Sequence, residues 1–302
     1  MCKDRKNSNT KYTIQQFRLD FRDDSSCLER IFTIRYGKLT TCPDCEQETT
    51  FKRVSTRQCY QCSKCYHQIY PCAGTIFEKT RTPLTYWFYV IYLFTASKNG
   101  ISAYEVQRQI GVTYKTAWRM LRQIRVLTAN DSIDLFTGTT EMDETFVGGK
   151  NINRHKDKKV PKCQGRSFAD KTPVLGIYER ETKRVRNFVI DDTSKAQIQP
   201  LILQHVEQGT PIMTDEWVAY QGLGEVYEHK FVNHRIKEYV NEDCTTNRIE
   251  NFWSVFKRTL KGSYIQVSKK YLQLYTDEVV FRFNNRESDK PIFDCFLNLL
   301  AS

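Results

Sequence analysis

The sequence predicts an α/β protein, in which a mixed sheet flanked by helices is preceded by a cysteine-rich ribbon and a helical segment. Two observations lead to this prediction. From about residue 137 onward, three strand-like stretches come first, and helix-like and strand-like stretches then alternate, which is typical of a mixed sheet with helices packed against it. Before that point, cysteines cluster between residues 41 and 80, and apolar residues recur at helical spacing from 83 to 128.

These patterns divide the chain into four segments. Residues 1–40 form a helical lead-in whose last helix ends at Gly37, and residues 41–80 form a ribbon with short strands. Residues 83–128 are helical, and residues 137–290 contain the α/β domain. A length of 302 residues allows about two domains of ordinary size.

The composition favours a polyanionic partner and argues against a membrane protein. Lys and Arg number 46 against 35 Asp and Glu, and the net charge of +11 suits binding to nucleic acid. No apolar run approaches the roughly 18 residues that a membrane-spanning helix needs, and the densest run, 83–96, fits a buried helix better. The N-terminal stretch also lacks the apolar centre of a secretory signal. We therefore expect a cytoplasmic protein without a membrane partner.

Four cysteines, in two C-x2-C pairs that are sixteen residues apart, have the spacing of a zinc site. They are Cys42, Cys45, Cys62 and Cys65. Two such knuckles let four thiolates converge on a structural zinc ion with tetrahedral geometry. Eight of the eleven cysteines precede residue 73, and clustered cysteines in a reducing compartment favour metal over disulfides. Two alternatives stay open: buried or disulfide-bonded cysteines, or replacement of one ligand by the spare thiol of Cys59 or Cys72.

The stretch 101–125 resembles a helix-turn-helix. One helix ends near Gly111, and Thr113 can cap the next helix. Apolar residues then recur at helical spacing, at Ala117, Met120, Leu121 and Ile124. This spacing leaves four basic side chains exposed, namely Lys115, Arg119, Arg122 and Arg125. Such a second helix could lie in the major groove of double-stranded DNA. The alternative is an ordinary αα-hairpin with solvated arginines.

Three acids stand within four positions of a strand-like run at the start of the α/β domain. They are Glu141, Asp143 and Glu144. In a strand, Glu141, Asp143 and Thr145 share one face, while Met142 points to the other face. Asp215 directly follows an apolar run, so a buried strand would end by presenting this carboxylate.

A further acid lies on a later helix. The apolar face of this helix consists of Ile249, Phe252, Trp253, Phe256 and Leu260. Glu250 and Lys257 lie two turns apart at the edge of the opposite face. Acids on a first strand, at a later strand end and on a following helix suggest the RNase H-like fold, in which a carboxylate cluster can hold two divalent cations for phosphodiester chemistry. The alternative for any one of these acids is a solvated surface charge.

Three sequence blocks resemble one protein family. They are "MDETFVGGK" (142–150), "TDEWVAY" (214–220) and "TTNRIENFWSVFKRTLKGSYIQVSKKYLQLYTDEVVFRFNNR" (245–286). Together they resemble the bacterial insertion-sequence transposases of the DDE type that are related to the Merlin elements, the ISXO-type group. Members of that group also begin with a zinc ribbon that ends in "GTIFE", found here at 74–78. The resemblance covers roughly residues 25–290.

The resemblance implies a metal-binding triad for two Mg²⁺ or Mn²⁺ ions, followed by one basic residue. These residues are Asp143, Asp215, Glu250 and Lys257. Some relatives use asparagine as the third member, so Asn247 and Asn251 are alternatives to Glu250. We expect Glu144 to point outward and to be dispensable. The basic loop 149–172 would lie beside the site, where its lysines meet the phosphate backbone.

The resemblance also implies a function, which is the transposition of DNA. A protein of this kind cleaves DNA strands at terminal inverted repeats and transfers them into target DNA, acting as a homo-oligomer in the nucleoid. The ribbon and the helix-turn-helix would recognise the repeats. Two alternatives are a catalytically inert, transposase-derived DNA-binding protein and a zinc-ribbon nuclease that acts on RNA. The intact acids argue against the first alternative, and the third sequence block argues against the second.

Overall fold

The computed structural model describes residues 12–129, 134–148, 155–159, 171–232 and 245–301. The chain divides into two compact units, one formed by Met1–Asp131 with Asn285–Ser302 and the other by Ser132–Asn284. The predicted α/β class is confirmed, because a ribbon and helices precede a mixed sheet flanked by helices. The second unit ends before residue 290, the boundary that the sequence predicts for the last domain. In the described ranges we find no helix with the length and apolar character needed to cross a bilayer.

The first unit combines helices with a small antiparallel ribbon. Its helices are α1 (Ile14–Asp20), α2 (Asp24–Tyr36), α3 (Leu84–Ala96), α4 (Ala103–Ile110), α5 (Tyr114–Thr128) and α9 (Ile292–Asn298). Its ribbon strands, in order across the sheet, are β1 (Phe51–Val54), β2 (Cys59–Cys62) and β3 (Gln68–Ile69). Helix α3 is the apolar run 83–96, and its aromatic side chains Trp87, Phe88 and Phe94 are fully buried. The expectation of a buried helix is therefore confirmed.

The second unit contains a mixed sheet. Its strands are β4 (Thr140–Val147), β5 (Thr172–Glu179), β6 (Val185–Val189), β7 (Pro211–Asp215) and β8 (Glu228–Val232). Its helices are α6 (Lys195–His205), α7 (Asn247–Thr259) and α8 (Lys269–Asn284). Within the described residues, the strand order is β6-β5-β4-β7-β8, with antiparallel pairing among the first three strands and parallel pairing from β4 to β8.

Both faces of this sheet carry apolar clusters. On one face, Met142 and Ile177 pack together with the buried residues of α6 and with Tyr220. On the other face, Val174 and Tyr178 pack with the apolar stripe of α7 and with α8. Because β4 is an inner strand with helices near both faces, most of its side chains are buried, including most of its charged ones.

Gly176 on β5 allows α7 to approach the sheet closely. A Cβ atom at this position would lie 2.6 Å from Cζ2 of Trp253 and 2.9 Å from Cδ1 of Ile249, both on α7. These separations are far below van der Waals contact, so only glycine accommodates the helix at this distance. Gly176 is also the cross-strand partner of Asp143. The close approach therefore brings α7 near the strand segment that carries an acid.

We predict that Gly176→Ala destabilises the second unit by about 1–3 kcal/mol, because the added methyl group forces the indole of Trp253 and α7 away from the sheet. Gly224→Ala is the matched control, since a Cβ atom at Gly224 meets nothing within 4 Å. Urea unfolding of both variants measures the effect. Equal midpoints for the two variants would contradict the account of helix packing.

Candidate active site

The four cysteines of the paired knuckles converge in the ribbon. The sulfur atoms of Cys42, Cys45, Cys62 and Cys65 all lie within 4.8 Å of one another. The Sγ atoms of Cys42 and Cys65 are 3.6 Å apart, close to the separation of about 3.8 Å expected for two thiolates on one tetrahedral zinc ion. The Cys62 sulfur also accepts the backbone N–H of Lys64 at 3.3 Å. The donor set and its spacing fit a structural zinc ion.

The two spare thiols lie outside this set. Cys59 and Cys72 are buried but are absent from the group of sulfurs that meet within 4.8 Å. Burial raises the pKa of Cys72 to about 11, so this thiol stays protonated at neutral pH. Neither side chain is therefore placed to replace one of the four ligands.

The pairing of β4 with β7 brings two of the predicted acids to neighbouring strands. Glu141 is the parallel partner of Met213, and Asp143 and Asp215 each follow that pair by two residues. Neighbouring strands are about 4.8 Å apart, and partners in a parallel pair point to the same face. Asp143 is half-buried and Asp215 is buried. The backbone N–H of Trp217 donates to Oδ1 of Asp215 at 3.0 Å and orients this carboxylate.

Helix α7 carries the third predicted acid. Glu250 is exposed in the first turn and accepts a hydrogen bond from the Thr246 hydroxyl at 3.1 Å. Its neighbour Ile249 lies over Gly176, the strand partner of Asp143. Across the described residues, the four cysteines are the one set of three or more such ligands whose donor atoms all lie within 4.8 Å of one another. The three acids thus occupy neighbouring elements without converging at that spacing.

The other predicted residues of α7 are solvent-exposed. Asn247 begins the helix, Asn251 follows Glu250, and Lys257 lies two turns further along. Both asparagines thus lie close to Glu250 in the chain and stay open as alternatives. The predicted basic loop 149–172 lies mostly outside the described residues.

Glu141 connects β4 to the beginning of α7 through hydrogen bonds. Its side chain is fully buried, and its Oε2 atom accepts the backbone N–H groups of Arg248 at 2.8 Å and Ile249 at 3.1 Å. Its Oε1 atom accepts from Nε of Arg180 at 2.7 Å. Thr246, at the N-cap position of α7, provides no side-chain cap. A carboxylate from a strand 107 positions earlier therefore caps this helix and faces the positive end of its dipole.

The sequence pattern gave no sign of this contact. It predicted only that Glu141 shares a face with Asp143. The contact depends on Arg180 as well, whose NH2 group donates to the Thr245 carbonyl at 2.9 Å and so holds the chain just before α7. The one sequence feature that could have indicated this contact is Arg180 itself. It is an arginine that directly follows the buried strand β5, the partner of β4.

The prediction that Glu144 points outward is wrong. This side chain is only 8% exposed and accepts a hydrogen bond from the hydroxyl of Tyr220. Burial first, and then the carboxylates of Glu144, Asp143 and Asp215, raise the pKa of Tyr220 well above its ordinary value. The hydroxyl therefore stays protonated and acts as the hydrogen-bond donor to Glu144. Strand alternation does separate Glu144 from Asp143. The face it points to is covered by the cluster around Tyr220 and not by solvent, so we no longer expect Glu144 to be dispensable.

The predicted helix-turn-helix has the expected turn. Gly111 ends α4 with a φ of +70°, and the hydroxyl of Thr113 accepts the backbone N–H of Thr116 at the start of α5. The predicted apolar stripe of α5 is buried, at Ala117, Met120, Leu121 and Ile124. Three of the four basic side chains are exposed, namely Lys115, Arg119 and Arg122.

The predicted exposure of Arg125 is wrong, because this side chain is 2% exposed. Arg125 lies one turn after Leu121 and one turn before Thr128, both of which are buried. It therefore falls within the buried stripe of α5, which is wider than the apolar letters alone indicate. A direct contact between Arg125 and DNA is excluded in this conformation.

The second unit and the ribbon both match known families. Residues 136–284 match the family model described as an ISXO2-like transposase domain, and residues 22–68 match a transposase zinc-ribbon domain. A protein in the transposable element ISH50 of Halobacterium salinarum is 28% identical over 280 residues, covering 87% of this chain and 94% of that protein. A transposase-like protein of Haemophilus influenzae is 30% identical over 110 residues, covering 36% of this chain and 88% of that protein. The two family matches span all four knuckle cysteines and all three acids.

We predict that Glu141→Gln lowers the free energy of unfolding by about 2–3 kcal/mol. The amide can still accept from the helix, but its NH2 group faces the Arg180 guanidinium and leaves that cation without its partner. Glu207→Gln, an equal change at an exposed position of the same unit, should fall within about 0.5 kcal/mol of wild type. Urea unfolding compares them, and equal stability of the two variants would contradict a tethering role for Glu141.

We predict about one zinc ion per chain, and loss of that ion in Cys42→Ser, since three thiolates bind zinc far more weakly than four. Elemental analysis of purified protein measures the metal. Cys59→Ser is the control, because its sulfur is not in the cluster, and it should keep its zinc. Full zinc content in Cys42→Ser would refute the assignment.

Proposed function

The chain belongs to the ISXO2-like transposases with an N-terminal zinc ribbon, and we propose that it cleaves DNA at the terminal inverted repeats of an insertion sequence and joins the freed ends to target DNA. One observation carries this proposal. Asp143 and Asp215 each lie two residues beyond the paired Glu141 and Met213 on neighbouring parallel strands, in the sheet against which the helix bearing Glu250 packs. The order of the three acids along the chain and their positions on neighbouring elements support a DDE-type site.

In this proposal Asp143, Asp215 and Glu250 hold two divalent cations, Mg²⁺ or Mn²⁺. Carboxylate oxygens suit both ions, and the donor set contains no sulfur or nitrogen that would favour a softer metal. When bound, such ions activate the attacking oxygen and stabilise the leaving oxygen of a phosphodiester. The protein's other residues hold these three acids in position. Trp217 orients Asp215 through its backbone N–H, and Glu141 fixes the helix of Glu250 relative to the strand of Asp143.

The reaction has two steps at phosphorus. Water first displaces the bridging 3′ oxygen at an element end, leaving a 3′-hydroxyl on the element. That hydroxyl then attacks a target phosphodiester and displaces the 3′ oxygen of the target strand. We assign the exposed Lys257 to the phosphate backbone beside this site, since it follows Glu250 by two helical turns, about 10 Å.

We further propose that the first unit recognises the terminal repeats. The exposed Lys115, Arg119 and Arg122 on α5 are the candidate DNA contacts, and the buried Arg125 is not among them. The ribbon, folded around one structural zinc ion held by its four cysteines, takes part in the same recognition. Because an element has two ends that must be joined to one target, the active form is a homo-oligomer on DNA, associated with the nucleoid in the cytoplasm.

We predict that Asp143→Asn, Asp215→Asn and Glu250→Gln each abolish strand cleavage and joining but keep DNA binding. The amide preserves shape while removing the negative charge that offsets the charge of the cations. The measurement is cleavage and plasmid joining of a labelled duplex that carries the repeat from DNA flanking the gene, with Mg²⁺ or Mn²⁺ and a gel-shift control. Glu228→Gln, an exposed acid on β8, should behave as wild type.

Other results of this experiment would change the proposed mechanism, the third metal ligand or the proposed function. Robust cleavage by Asp143→Asn would overturn the mechanism. Activity in Glu250→Gln combined with inactivity in Asn247→Ala or Asn251→Ala would move the third ligand to that asparagine. Binding of the repeat by wild-type protein without any cleavage would leave the inert DNA-binding protein, and cleavage of RNA alone would leave the RNA nuclease.

A further inference from the structure

The turn between α7 and α8 holds one apolar side chain in a strained conformation. Ile265 has φ +59° and ψ −58°, and the backbone N–H of Gln266 donates to the carbonyl of Tyr264 at 2.5 Å. These values describe a γ-turn of the rare form with positive φ. A β-branched residue with positive φ is a genuine outlier, because its Cβ substituents crowd the backbone. Ile265 is also 85% exposed, so its side chain gains no burial in return for this strain.

Neighbouring residues fix this turn from both sides. The turn follows a π-helical segment, Leu260–Tyr264, which continues α7. The hydroxyl of Tyr264 donates to Oε1 of the buried Glu278 on α8 at 2.5 Å. The ring centroids of Tyr264 and Tyr275 are 4.6 Å apart. Tyr264 and Val267 both pack against the apolar cluster of α7 and α8. Their anchoring imposes the γ-turn and holds Ile265 outward. Such strain persists only where the surrounding structure enforces it, and strained residues cluster at functional sites.

The segment of the chain that carries Ile265 is strongly basic. Between residues 247 and 271, Glu250 is the one acid, against six basic residues. All six are exposed, namely Arg248, Lys257, Arg258, Lys261, Lys269 and Lys270. Lys269 forms an ion pair with Asp191 at 2.8 Å. An exposed apolar tip in a basic segment complements a duplex, which offers phosphates outside and an apolar base stack inside.

We propose that Ile265 is a wedge that enters double-stranded DNA between adjacent base pairs, while the basic residues around it bind the phosphates. This inference rests on the proposed function, since it describes how the same unit holds its DNA substrate. The nine residue steps from Glu250 to Thr259 span about 14 Å of helix. Ile265 comes after the end of this helix, so the base step that it enters lies away from the bond that is cleaved. The unstacked step at that point bends the end of the element toward the acids.

Duplexes with 2-aminopurine at successive positions of the terminal repeat test the wedge, because this base becomes fluorescent when it loses its stacking neighbours. Wild-type protein should raise the fluorescence at one step only. Ile265→Ala should lose that signal, with binding by anisotropy weakened less than about tenfold because phosphate contacts supply most of the affinity. Leu203→Ala is the matched control, an exposed aliphatic residue on α6, and should keep both the signal and the affinity.

Ile265→Gly separates the wedge from a structural role. Glycine adopts positive φ without strain, so this variant should melt about 2–4 °C higher than wild type and still fail to unstack the duplex. Three results would overturn the inference. They are wild-type binding without any fluorescence change, an unchanged signal in Ile265→Ala or Ile265→Gly, and fluorescence that also disappears in Leu203→Ala. The first of these would leave DNA binding, and hence the proposed function, intact. If wild-type protein bound no duplex at all, this result would contradict both the wedge and the proposed function.

Discussion

The arrangement of the second unit depends on one buried carboxylate. Glu141 accepts two backbone N–H groups from the first turn of α7 and a third hydrogen bond from Arg180. A buried carboxylate is stable only when its charge is satisfied, and here a cation, two backbone donors and the positive end of a helix dipole together satisfy it. Because Asp143 lies two residues further along the same strand, this contact sets the position of α7 relative to that acid.

The same strand uses its other face for a second buried acid. Glu144 accepts the hydroxyl of Tyr220, which comes shortly after Asp215 in the chain. Strand β4 is thus connected through Glu141 to the helix of Glu250, and through Glu144 to the segment that follows Asp215. The three acids Glu141, Asp143 and Glu144 therefore have two different roles. Asp143 is the proposed metal ligand, and Glu141 and Glu144 hold the elements that carry Glu250 and Asp215.

The sequence predicted what depends on local pattern and spacing. The two C-x2-C pairs predicted the cysteine cluster, the alternation of strands and helices predicted the sheet, and the sequence blocks predicted the family, which the comparisons confirm. It missed features that depend on what covers a face. Glu144 was predicted to point outward from the strand face opposite Asp143, and Arg125 was predicted to lie outside the apolar stripe of its helix, yet both lie under packed neighbours. The capping of α7 by Glu141 joins residues that are 107 positions apart, which no local pattern reveals.

We propose that Glu141 positions the site without binding the metal. Anomalous diffraction from crystals grown with Mn²⁺ tests this claim directly. We predict Mn²⁺ peaks with oxygen ligands from Asp143, Asp215 and the first turn of α7, at about 2.0–2.3 Å, while Glu141 keeps its hydrogen bonds to Arg248, Ile249 and Arg180. An Mn²⁺ ion coordinated by Glu141, with its carboxylate turned away from α7, would contradict the account.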